Sequence, residues 1–537
     1  MSTRERLYLF DTTLRDGAQT QGVDFSAADK RRIAEVLDDL GIDYVEGGYP
    51  GANDTDTEFF ANAPKLNHAV LTAFGMTKRA GRSTANDPGF QAVVQSSATA
   101  VCLVAKAWDY HVRVALGITN EENIAGVKES VEAIRAAGKE AMIDCEHFFD
   151  GYKANPEHAL AVAGTAYEAG ARWVVLCDTN GGTLPNEIEA IVREVTRVVP
   201  GQHLGIHTHN DTEQAVANTL AAVRAGCRQI QGTLNGLGER CGNANLTSLV
   251  PTLLLKSDLA DRFEIGVTRE KLRKLTATSR LLDEILNRAP ARQAPYVGES
   301  AFATKAGIHA SAILKEPETY EHVPPETVGN QRRVLVSNQA GKSNVVSELE
   351  RLGIAIPKSD ERIGHLLDEV KSREALGYAY EGADASFELL ARRLLGEVPE
   401  YFTVDSFRVI VEKRHNALGK VVTVSEASVR VFVRGEDEPL WSVAEGNGPV
   451  NALDTALRKD LGRYQEFIRD VELVDYKVRI LTGGTEAVTR VLVESRDRQS
   501  GLRWSTVGVS SNIVDASFEA LTDAMTWKLL HDGAPVT

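Results

Sequence analysis

The sequence predicts an α/β fold: a (β/α)8 barrel of the TIM-barrel type, then helical linker subdomains and a C-terminal α+β domain. Three observations predict it. Over roughly the first 270 residues, about eight short apolar runs alternate with amphipathic helical stretches, which suits a closed barrel better than an open doubly wound sheet. Polar residues gather just after those apolar runs, where such a barrel keeps its chemistry. From about Glu270 the rhythm stops, and beyond Glu400 strands of period two take over. The expected division is therefore 1–270, 271–400 and 401–537.

The first strand is LYLFDTT, from Leu7, and the first helix runs from Ser26 to Gly41, with Ser as N-cap and Gly just past its end. DYVEGGYP is the second strand, and the acidic stretch from Asp54 opens a helix. The third and fourth strands lie near AVLTAF and TAVCLVA, and a helix follows from Glu121 to Gly138. Strand EAMIDCEHFF, helix PEHALAVAGTAYEAG, strand RWVVLCDT and helix LPNEIEAIVREVTRVV continue the pattern. Strand HLGIHTH, helix TEQAVANTLAAVRAG and strand QIQGTL complete the eight.

Polar residues end six of these strands. Arg15 and Asp16 follow the first, Glu46 closes the second, and Asp144 and Glu146 close the fifth. Asp178 and Thr179 close the sixth, His207 and His209 the seventh, and NGLGERCGNANL follows the eighth. On a strand, residues two apart point the same way, so His207 and His209 project together. Two neutral imidazoles are good ligands for a first-row divalent metal. Arg15 can pair with Glu46 or with Glu146.

Composition narrows the function classes. With 43% hydrophobic and 25% charged residues the chain is an ordinary globular one, and a net charge of -15 opposes nucleic-acid or anionic-membrane partners. The N-terminal apolar run is too short for a signal peptide, and the five scattered cysteines form no C-x-x-C pair, so a cytoplasmic location is expected. The Gly-rich pieces are not phosphate cradles. Gly236, Gly238 and Gly242 are spaced one residue too long for a dinucleotide fingerprint, and Gly341-Lys342-Ser343 has Val336 where a P-loop needs Gly.

Three separated motifs, DTTLRDGAQ (11–19), HTHND (207–211) and NGLGERCGNANL (235–246), resemble those of the 2-isopropylmalate, homocitrate and citramalate synthases. FATKAGIHASAI, around His309, resembles that family's helical subdomain, and AEGNGPVNALDTAL its regulatory domain. The resemblance covers the whole chain. It implies a metal-dependent acyltransferase that joins acetyl-CoA to a 2-oxo acid, with Mn²⁺, Mg²⁺, Co²⁺ or Zn²⁺ on Asp16, His207, His209 and Asn243. It makes Arg15, Glu146 and His309 catalytic and gives Arg15, Thr179 and Tyr320 substrate contacts. Glu146 and His309 share the proton transfers without a division between them.

DCEHFFDGYKANP and CDTNGGTLP look like the citramalate branch, which implies pyruvate as the oxo acid and (R)-citramalate as the product for isoleucine biosynthesis. Ala18 stands where the isopropylmalate branch commonly has Glu, which weakens the alternative of 2-oxoisovalerate and leucine biosynthesis. A lyase on the same barrel is the alternative of a different class. Asp144 departs from the apolar or aromatic residue expected two positions before Glu146. In the last part FRVIVEKR, SEASVRVFV, YKVRILTG and TRVLVESR are half-buried strands, and the resemblance implies a homodimer inhibited allosterically by isoleucine.

Overall fold

The computed structural model describes residues 4–335, 341–357, 359–415, 417, 419–459, 461–482 and 487–536; Val336 and Gly483, both used above, lie outside them. The chain divides into two compact units, 1–302 with 322–332, and 303–321 with 333–537.

The first unit is a closed barrel of eight parallel strands: β1 (Tyr8–Asp11), β2 (Tyr44–Gly48), β3 (Val70–Met76), β4 (Ala100–Lys106), β5 (Glu140–Glu146), β6 (Trp173–Asp178), β7 (Leu204–Thr208) and β8 (Gln229–Gly232). β8 closes onto β1 with Tyr8 opposite Gln229. The first helix spans Ala27–Leu40, with Ser26 and Asp29 forming a capping box and Gly41 left-handed at its end.

Alternation along the strands sorts the side chains. Val45, Ile143, Ile206 and Ile230 face outward into the large core beneath the helices. Phe10, Tyr44, Cys102, Met142, Trp173 and Val175 fill the interior toward the strands' N-terminal ends. Further along β2, β5, β7 and β8 the same inward track reaches Glu46, Asp144, His207 and Gln231, all buried. The barrel is thus apolar at its base and polar and buried at its C-terminal mouth.

Three boundaries differ from the sequence reading. The fifth strand stops at Glu146, because Phe148 begins a short helix, Phe148–Ala154. The seventh stops at Thr208, and His209 instead pairs across an isolated antiparallel bridge with Asn243. The helical linker expected at 271–400 divides beyond Gly341 into three helices, Lys342–Arg351, Glu361–Ala375 and Asp384–Leu394.

The rest of the second unit holds two antiparallel three-stranded sheets. One is β9 (Phe402–His415), β10 (Val421–Val433) and β11 (Leu440–Gly446), followed by helix Pro449–Lys459. The other is β12 (Val471–Ile480), β13 (Thr489–Asp497) and β14 (Arg503–Ser510), followed by helix Ile513–His531. Ala427, Val429, Val431 and Val433 alternate inward and pack with Leu453, Leu457 and Leu521 in one core. The third strand of each sheet escaped the sequence reading, because LWSVAEG and RWSTVGVS mix Ser, Thr, Ala and Gly with their apolar residues and show little apolar alternation.

Candidate active site

Asp16 sits in the turn after β1, where its N–H donates to Thr12 O at 2.9 Å. His207 comes from β7 and His209 from the bridge beyond it. One ligand atom from each of the three lies within 4.8 Å of the others. His207 Nε2 is 3.2 Å from Asp16 Oδ2 and also 3.2 Å from His209 Nε2, so three donors converge on one point. Asn243 joins them, its Nδ2 donating to Asp16 Oδ2 at 2.8 Å while its Oδ1 is buried without a partner.

Gln231 orients His207. Its Oε1 lies 2.9 Å from His207 Nδ1, which turns Nε2 toward Asp16 and His209. The Gln231 amide is held in turn, its Nε2 donating to Asp144 Oδ1 at 2.9 Å. Asp144, which breaks the expected pattern, is therefore a buried anchor for this relay. The sequence reading passed over Gln231. Its signal was a pair of glutamines two apart, Gln229 and Gln231, which share the inward face of the eighth strand.

Electrostatics prepare the cluster for a cation. Burial pushes the Asp16 carboxyl up, but Arg15 and the hydrogen-bonded His207 outweigh it and hold the group well below the usual carboxylate range. Burial and the neighbouring His207 bring His209 down to about 3, so it is neutral, as a ligand must be. A mixed O/N donor set of this kind suits a divalent first-row metal.

Arg15 pairs with Glu46, the first of its two possible partners: Nε donates to Glu46 Oε2 at 2.8 Å. Thr12 Oγ1 donates to the same oxygen at 2.5 Å, and the guanidinium lies 3.9 Å over the Phe74 ring. Burial would lower the Arg15 pKa, yet Glu46 and Asp16 outweigh it and keep the charge fixed. Burial raises Glu46 in spite of Arg15. Glu146, at the end of β5, is in close ion contact with Lys106 at the end of β4. Thr179 Oγ1 accepts from the His147 N–H at 2.8 Å, which ties the ends of β5 and β6 together.

The Gly-rich loop is built to deliver Asn243. A Cβ on Gly238 would lie 2.2 Å from Asn243 Oδ1, and one on Gly242 would lie 2.0 Å from Gly236 O. Both have positive φ, so side chains there would be strained as well as blocked. His309 and Tyr320 belong to the second unit, where their rings stack at 4.3 Å and both are exposed.

A family model described as HMGL-like matches residues 6–281. The chain belongs to that family. A homocitrate synthase post-HMGL domain-like model matches 296–376, and a LeuA allosteric (dimerisation) domain model matches 381–529. An (R)-citramalate synthase from Aquifex aeolicus is 48% identical over 98% of this chain and 98% of its own length. The (R)-citramalate synthase of Geobacter sulfurreducens is 49% identical over 97% of each chain, and that of Streptomyces coelicolor 48% identical over 98% of each.

Proposed function

We propose that this chain condenses acetyl-CoA with pyruvate to give (R)-citramalate and free CoA. The observation that carries it is the convergence of Asp16, His207 and His209 at the barrel mouth, in a chain nearly half identical to (R)-citramalate synthases along its whole length. Asp16, His207, His209 and Asn243 would hold a divalent cation, Mn²⁺, Mg²⁺, Co²⁺ or Zn²⁺, which would supply Lewis-acid polarisation of the keto carbonyl of the oxo acid.

The remaining chemistry belongs to the side chains. Arg15, pinned by Glu46 and Phe74, keeps a fixed positive charge beside Asp16 and stabilises the oxyanion that develops as the keto carbon is attacked. Thr179 contacts the oxo acid. A base takes a proton from the acetyl methyl group, the new C–C bond forms, and water then cleaves the thioester to release CoA thiol. Glu146 and the exposed His309 are the groups for these proton transfers, and Tyr320 contacts acetyl-CoA. The working division is a catalytic barrel (1–270), helical linkers (271–400) and a regulatory dimerisation domain (401–537) that responds to isoleucine. Support for that last role is the allosteric-domain match and the exposed apolar side chains of its sheets. Five unpaired cysteines support a reducing, cytoplasmic setting.

The test is CoA-thiol release from acetyl-CoA with a panel of oxo acids, with and without isoleucine. Preference for pyruvate, lost on chelation, is the expected result. Preference for 2-oxoisovalerate moves the chain to leucine synthesis, and no release with any oxo acid overturns the reading.

A further inference from the structure

Beside the Asp16 cluster, the mouth of the barrel carries a second convergence of ligand-type side chains. One ligand atom each of His111, Glu146 and His147 lies within 4.8 Å of the others. Three further observations set this group apart from a chance meeting of polar side chains. His111 Nδ1 is buried with no hydrogen-bond partner, although Trp108 stacks on the ring at 5.1 Å and fixes it. His147 adopts a left-handed backbone, φ 54°, which is uncommon for a non-glycine residue. Its N–H bond to Thr179 holds that turn, and the result is edge contact between the two imidazoles, centroids 4.3 Å apart. Finally, His147 Nδ1 faces Asp150 Oδ2 at 3.4 Å, itself held by Asn180 at 2.9 Å, which leaves Nε2 outward. A carboxylate behind an imidazole is the arrangement that orients metal-bound histidines.

We propose that His111, Glu146 and His147 form a second, inhibitory cation site, selective for Zn²⁺, Co²⁺ or Ni²⁺ over Mg²⁺. Two imidazoles and one carboxylate suit the borderline transition ions, whereas Mg²⁺ prefers an all-oxygen shell. The Lys106 ammonium already holds the Glu146 carboxylate, so an entering ion displaces one cation with another. Occupation withdraws Glu146 from proton transfer, which makes the effect inhibitory; this consequence rests on the proposed condensation, while the site itself does not.

The experiment counts zinc on the full-length protein after desalting. Two equivalents are expected for the wild type, one for His111→Ala, one for Asp16→Ala and none for the double variant. His147→Gln, with circular dichroism unchanged, gives the same loss as His111→Ala. In the activity arm, half-inhibition by Zn²⁺ moves to a concentration higher by at least about tenfold in His111→Ala. A single equivalent in the wild type, or two equivalents retained by His111→Ala, overturns the proposal. Because the count needs no turnover, an inactive enzyme that binds two ions would sink the condensation reading and leave the site standing.

Discussion

The barrel mouth and the C-terminal sheets use charge in opposite ways. At the mouth, Asp16, Glu46, Asp144, His207 and His209 are all buried, and each is held by partners arriving from different strands. On the sheets of the second unit the charges are ion pairs at the surface, such as Arg498 with Glu472, Lys477 with Asp475 and Arg430 with Asp405. Large apolar side chains are exposed there instead, Trp441 at 64% and Phe432 at 47% among them. Buried convergent charges are costly to assemble and reward chemistry. Exposed pairs contribute little, and exposed apolar strands reward association. One region gathers charge in its interior and the other leaves apolar side chains at its surface.

That contrast can be broken or sharpened by experiment. The largest effect is expected at the convergence itself: Asp16→Ala or His207→Ala lowers the rate of CoA-thiol release by about three orders of magnitude, the loss of several kcal/mol of carbonyl polarisation. Near-normal turnover in either variant would show that the buried cluster is structural. Next comes Arg15→Lys, which keeps a charge but loses the fixed geometry over Phe74 and against Glu46. Its kcat is expected to fall about 10²-fold, with KM for pyruvate changing much less. A change confined to KM would make Arg15 a binding residue only.

Gln231→Ala tests the relay behind His207, which touches no substrate. Metal affinity is expected to weaken about 10- to 100-fold, read as a shift in the Mn²⁺ activation curve, with kcat at saturating metal largely kept. Chelation should lower the thermal midpoint of the wild type, by the equivalent of about 2.7 kcal/mol when the ion had stood at a hundredfold excess over its Kd. With Mg²⁺ as the ion, which the His111 site does not favour, Asp16→Ala should show no such shift, and a shift of equal size there would move the stabilising ion elsewhere. The smallest effect on catalysis belongs to the sheets. Phe432→Lys with Trp441→Lys should shift the chain toward monomer in light scattering and blunt any isoleucine response. The kcat at saturating substrate should stay within about twofold, because rim and surface charges act mainly on association. Collapse of kcat would tie these strands to the chemistry and end the division drawn above.

Much of this was legible in the chain before any coordinates. Period-two and period-3.6 patterns, the Ser26 cap, Gly41 and the strand–helix count specified the barrel, since each is a local property of backbone and burial. The polar strand ends pointed to Asp16, His207 and His209, because the C-terminal ends of the strands share one mouth, while Asn243 as a fourth ligand was implied only by the family resemblance. Tertiary structure alone decided who holds whom. That Arg15 takes Glu46 rather than Glu146, that Glu146 takes Lys106, and that Gln231 and Asp144 stand behind His207 depend on strand register around a closed barrel. So does the meeting of His111 with His147, which needs two loops and one left-handed residue. Local pattern sets which way a side chain points, but only closure of the barrel sets what it meets.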